Sequence, residues 1–230
     1  MKTLIILVAG ISLSSLSYNT PSFEQQLLEA EAYCRQLTPE ADRVAAQYQL
    51  TAAEILPIVY PECARYSELS NQAEATVLEY YYIEGGTTAA DFSVGHFQMK
   101  PGFTEALEQR LLVEDKLASF REQFSYTSTD VPTVREERLN RLLDQTWQLH
   151  YLCLFYKIML LDHGDRLTNP QERTAFFAAA YNYGFTRGTA AIGTWRNTTA
   201  FPNGKGETGN YNYADLAVTL NQKMRSDEGR

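Results

Sequence analysis

The chain has 230 residues, 44% of them hydrophobic, and a formal net charge of −8. That length suits one domain, and that apolar content supports a packed core rather than a disordered chain. The acidic balance excludes a general nucleic-acid binder, which needs a basic face to offset phosphates.

In chain order, residues 1–17 (MKTLIILVAGISLSSLS) read as a secretory signal peptide. Lys2 leads, Thr3 to Leu13 is a short apolar run, and Ser15-Leu16-Ser17 offers small residues for cleavage. The run is too short for a good transmembrane helix, so the expected product is exported, with no membrane span. Thr38-Pro39-Glu40 places a capping residue before a proline and predicts a helix start. Thr51-Ala-Ala-Glu54 and Thr133-Val-Arg-Glu136 read as capping boxes. The segment from about 134 to 163 becomes almost continuously apolar towards its end and predicts a central buried helix. Asn169-Pro170 opens a further helix that Gly184 closes. Two regions fall outside this helical pattern: ADFSVGHFQMKPGF (90–103), and a Gly-, Asn- and Thr-rich stretch from Gly193 to Asn212 that reads as a long loop. The expectation is an all-α domain.

Candidate chemistry is sparse. The three histidines form no HExxH pattern, and Cys34, Cys63 and Cys153 have no metal-ligand spacing, although export permits one disulfide among them. Neither a metal nor a cofactor is expected. Fifteen tyrosines and two tryptophans supply amphipathic rings suited to sugar faces, though most such rings are core. Trp147 reads as core, Arg135-Glu-Glu-Arg138 as a solvated helix face, and Trp195 as either a sugar platform or a loop anchor. In AAEILPIVYPECARYS (52–67), Ile55, Val59 and Glu62 share one helical face. A carboxyl on an apolar stripe has its pKa raised, as a general acid requires; the alternative is a surface pair with Arg65. Pro57 and Pro61 favour a kink or helix end near Glu62.

Three separated pieces occur in the order found in soluble lytic transglycosylases, which cleave peptidoglycan on a lysozyme-like fold. IVYPECARYS resembles the helix ending in the catalytic Glu. SVGHFQMKP (93–101) resembles a Gly-x-x-Gln-x-x-Pro motif after a serine, and AAYNYG (179–184) a helix ending in Ala-Tyr-Asn-x-Gly. GETGNYNYADLAV (206–218) is a weaker match to the segment closing the catalytic domain. The resemblance implies a lysozyme-like helical domain over residues 46–225, with long cleft-lining loops, a helical extension at 18–45 and a polar tail at 226–230. It implies Glu62 as the single acid/base. Ser93, Gly95, Gln98, Met99, Tyr181 and Asn182 would bind peptidoglycan glycan strands, and Tyr213, with Tyr211 as the alternative, would stand near the acid. Glu62 would protonate the MurNAc–GlcNAc oxygen, then as carboxylate deprotonate the 6-hydroxyl to close a 1,6-anhydro ring.

Two departures bear on this resemblance. Cys63 replaces the serine usual after the catalytic Glu, and Gln98 lies further along the chain than the family spacing. An inserted helix over 71–86 accounts for the second; Glu79 as the acid is the alternative. A lysozyme-type hydrolase, a catalytically inactive wall-binding or assembly protein, and a helical interaction protein are the competing readings.

Overall fold

A computed structural model describes residues 21–228. The signal-peptide assignment lies outside those residues. The chain is mostly helical, with one two-stranded sheet, in agreement with the all-α expectation.

Helix α1 (Phe23–Ala45) starts at Ser22, whose side chain accepts from Gln25 N, and runs through Pro39. The helix start expected at Thr38 is therefore not there. Ala30, Cys34, Leu37, Ala41 and Val44 make one buried face on both sides of the proline, so packing overrides the missing amide. Helix α2 (Ala52–Arg65) opens with the Thr51–Glu54 capping box and is buried along most of its length. Neither Pro57 nor Pro61 ends it. Pro57 cannot donate to Ala53 O, and the buried Asn221 amide donates there instead (2.7 Å).

Helix α3 (Glu68–Val77) continues through a π-helical turn (Leu78–Tyr82) into α4 (Ile83–Gly85), so the stretch over 71–86 is helical, as expected. A short hairpin follows, in which Val94 and Met99 exchange backbone hydrogen bonds (2.9 and 3.1 Å). Helix α5 (Pro101–Val113) begins at its proline. The expected continuous helix over 134–163 is two helices, α6 (Val131–Leu143) and α7 (Gln145–His163). Asp144 separates them and caps α7 by accepting from Trp147 N (2.8 Å). Likewise Asp130, not Thr133, caps α6.

Helix α7 carries an almost unbroken buried run from Gln148 to Met159, as a central helix should. Helix α8 (Pro170–Tyr183) starts at Asn169 and stops at Gly184, whose φ of +114° suits glycine. The long loop expected from Gly193 is shorter than its composition suggested. Helix α9 (Thr189–Trp195) enters it, and β1 (Thr199–Phe201) pairs antiparallel with β2 (Tyr211–Asn212) before α10 (Tyr213–Glu228). What remains irregular is the turn at the hairpin tip, where Gly204, Gly206 and Gly209 take positive φ.

Helices α1, α2, α7, α8 and α10 share the main core. The charged stretch Arg135–Arg138 on α6, expected as a solvated helix face, is not fully solvated. Arg138 is buried and bonds Glu108 twice (3.0 and 2.7 Å) and Glu105 (3.1 Å), while Tyr151 donates to Glu108 (2.6 Å). Trp147 is half-buried against the core with the Arg141 guanidinium 4.1 Å from its ring centroid. Cys34, Cys63 and Cys153 are free thiols.

Candidate active-site cleft

Glu62 sits in the last turn of α2 and is buried, with 6% of its surface exposed. It opens into a cleft of about 410 Å³ lined also by Arg65, Ser93, Gln98, Met99, Lys100, Phe103 and residues 181–184. Three of the motif segments thus meet at one cavity: the end of α2, the 93–99 hairpin and the end of α8. Glu62 is the single carboxylate among those lining residues.

Burial pushes the Glu62 carboxyl above its ordinary value. The Arg65 guanidinium, the Asn182 amide, the Tyr213 hydroxyl and the Lys100 ammonium oppose that shift, without reversing it. Asn182 Nδ2 donates to Glu62 Oε1 (3.3 Å), and Arg65 pairs with Oε2 at 3.6 Å. The surface-pair alternative is therefore half right: Arg65 is beside Glu62, but the carboxyl itself faces inward. Tyr213 is buried behind Glu62, and its hydroxyl donates to Ile58 O (2.9 Å). Tyr211 lies on the far side of the hairpin, where it donates to Glu24.

The 93–99 floor departs from expectation in two ways. Gly95 does not line the cleft. Its missing side chain makes room for Gln148 Nε2, which stands 1.4 Å from where a Cβ would be. Gln148 in turn accepts from Phe97 N (3.1 Å) and donates to Val94 O (3.1 Å) and Leu142 O (2.6 Å). Phe97 is fully buried, whereas Phe92 is 46% exposed. Gln98 has φ +52° and folds its side chain back to donate to Gly95 O (2.9 Å). Tyr181 ties α8 to this floor by donating to Phe97 O (2.7 Å).

His96 is held behind the floor, stacked between Tyr33 (centroids 4.5 Å) and Tyr66 (3.9 Å). Glu79 is exposed on the π-helical turn and does not line the cleft.

Sequence reasoning missed how Trp195 takes part. It is neither a free platform nor a plain loop anchor: its Nε1 donates to Asn182 Oδ1 (2.9 Å) and its ring stacks on Tyr183 (4.4 Å). Because its oxygen is occupied, the Asn182 amide must present its nitrogen to Glu62. Arg65, known beforehand only as a pairing alternative, and Lys100 also line the cleft; their proximity in sequence to Glu62 and Gln98 was the one available signal. Among the described residues no group of His, Cys, Asp and Glu could hold a metal, and no helix is long and apolar enough to cross a membrane.

No protein-family model matches the chain, and neither a curated protein nor a solved structure matches it.

Proposed function

We propose that the chain is an exported peptidoglycan lytic transglycosylase built on a lysozyme-like helical domain, with Glu62 as its single acid/base. The observation that carries this reading is the buried, protonation-prone Glu62 as the only carboxylate among the residues lining a cleft that also gathers Ser93, Gln98, Met99, Tyr181 and Asn182. A glycosidase working by direct displacement needs a second carboxylate within reach. One acid suffices when the substrate provides its own nucleophile. A MurNAc 2-acetamido group can attack the anomeric carbon while Glu62 protonates the departing GlcNAc oxygen. Glu62, now a carboxylate, then takes the proton from the 6-hydroxyl as that oxygen closes the 1,6-anhydro ring. Asn182 supports both states: its amide nitrogen donates to the carboxylate and tolerates the neutral acid. Cys63 stands where the family has serine; its thiol, neutral through burial, takes no part in proton transfer.

Muropeptide release analysed by mass is the test. Wild type should release products one water lighter than reducing muropeptides. Glu62→Gln should lose roughly 10²–10⁴-fold in rate, the usual weight of a general acid/base, while Glu79→Gln should retain activity. Products carrying the added water would identify a lysozyme-type hydrolase on the same cleft. Undiminished release by Glu62→Gln would sink the mechanism.

A further inference from the structure

We infer that Arg65 and Lys100 form a receptor for a carboxylate carried by the glycan, and that Arg65 leaves Glu62 to serve it, so that the cleft selects acidic strands over neutral ones. The inference rests on the reading that this cleft holds a glycan strand. Arg65 stands 3.6 Å from Glu62, beyond hydrogen-bond distance, and its side chain is 46% exposed against 8% for Glu62. Its guanidinium rests 5.6 Å from the Phe201 ring centroid, a contact that leaves its N–H donors for another acceptor. Lys100 is exposed, precedes Pro101 at the start of α5 with its side chain unused for capping, and lines the same cleft. A protein of net charge −8 thus presents two cations to whatever enters beside Glu62.

The acids facing this pair are Glu62 and, from α3, Glu74. Burial raises the pKa of both carboxyls, which weakens the negative charge they set against the two cations. The other titratable groups against Glu62 are Tyr181, Tyr213 and Cys63, and burial keeps each of these neutral. Among all these groups Arg65 is the strongest influence favouring an ionised Glu62. A substrate carboxylate that draws Arg65 away removes it, and Glu62 holds its proton more firmly. An acidic strand then both binds and prepares the general acid, whereas a neutral strand leaves the Arg65–Glu62 pair in place.

Cosedimentation with purified cell wall tests the receptor without requiring turnover. Intact peptidoglycan is compared with peptidoglycan whose carboxyls have been converted to neutral amides. Non-specific electrostatics predicts that an acidic protein prefers the amidated wall. The receptor predicts the opposite sign: amidation weakens wild-type binding by roughly tenfold or more, as for one charge-assisted hydrogen bond. Arg65→Gln and Lys100→Gln should each shrink that difference, with unchanged circular dichroism confirming that both fold. Wild-type binding indifferent to amidation, or a difference that persists in both variants, overturns the inference. Stem-free strands assign the source of the carboxylate: retained binding points to the lactyl group, lost binding to the peptide stems, and either supports the receptor. Parallel release measurements separate the two readings. Carboxylate-dependent binding without release sinks the enzyme and keeps the receptor; release indifferent to amidation does the reverse.

Discussion

Gly95→Ala should destabilise the protein far more than a surface methyl would. The new Cβ would lie 1.4 Å from Gln148 Nε2 and 2.5 Å from its Cδ, and the backbone there has φ +74°. Holding alanine in that left-handed region costs about 1–2 kcal/mol. Gln148 is 1% exposed and has no solvent to move into. Displacing it unpairs Phe97 N, Val94 O and Leu142 O in part. Two such buried groups left unsatisfied cost about 1–3 kcal/mol each, giving a total of roughly 3–8 kcal/mol once the backbone term is added. For a chain of this size that corresponds to a melting temperature lower by roughly 10 °C or more. Urea denaturation and thermal melting of wild type, Gly95→Ala, Gln148→Ala and the double variant would measure it. Removing the Gln148 side chain relieves the clash, so the double variant should lose less than the sum of the single losses. A Gly95→Ala loss under about 1 kcal/mol, or strict additivity, would show that the floor is not built on this contact.

Trp195→Phe keeps a ring on Tyr183 but frees the Asn182 oxygen. That amide can then turn its acceptor to Glu62, which favours the neutral acid, so the alkaline limb of kcat/KM for wall cleavage should move to higher pH; an unmoved limb would refute the positioning role. Glu62→Gln should stabilise the fold near neutral pH. Burial raises the folded-state pKa of Glu62 above its unfolded value. Wild type therefore loses stability as pH rises from the ordinary carboxyl range through the raised value, and the variant does not. Equal melting curves at about pH 4 that separate towards pH 7, with the variant melting higher, are the expected signature. Glu108→Ala strands buried Arg138 without its closest partner and should cost about 3–5 kcal/mol by chemical denaturation, against near-zero for a solvated pair.

Much of the helical frame was legible because its signals are local. The Thr51–Glu54 box, Asn169-Pro170 and Gly184 each act within a few residues, and each marks a boundary where it was expected. The failures are long-range. Pro57 reads as a helix breaker until Asn221, far along the chain, supplies the lost donor to Ala53 O. Arg138 reads as solvated because its partners Glu105 and Glu108 belong to another helix, although Leu139 and Leu142 on the same face hinted at burial. Aspartates at 130 and 144 outcompeted the expected start and continuity of the helix over 134–163. At the cleft, the convergence of Glu62, Gln98, Tyr181 and Asn182 was anticipated by motif order. The role of Gly95 was misjudged because its reason, a buried glutamine on α7, leaves no trace near residue 95.

Gln148 gives the cleft a stiff side and a compliant side. One amide on the central helix holds the 93–99 floor at two points, Phe97 N and Val94 O, and Tyr181 adds a third from α8. That floor moves only if α7 moves with it. Across the cleft, Arg65 rests on Phe201 and Lys205 covers Trp195, both contacts made to a hairpin whose tip contains three positive-φ glycines. On the proposed reading, accommodation of strands of different bulk falls to the exposed tip of that hairpin, because Phe201 at its base is packed with Ala178, Tyr213 and Ala217. The floor serves as the fixed reference against which the acid is aligned.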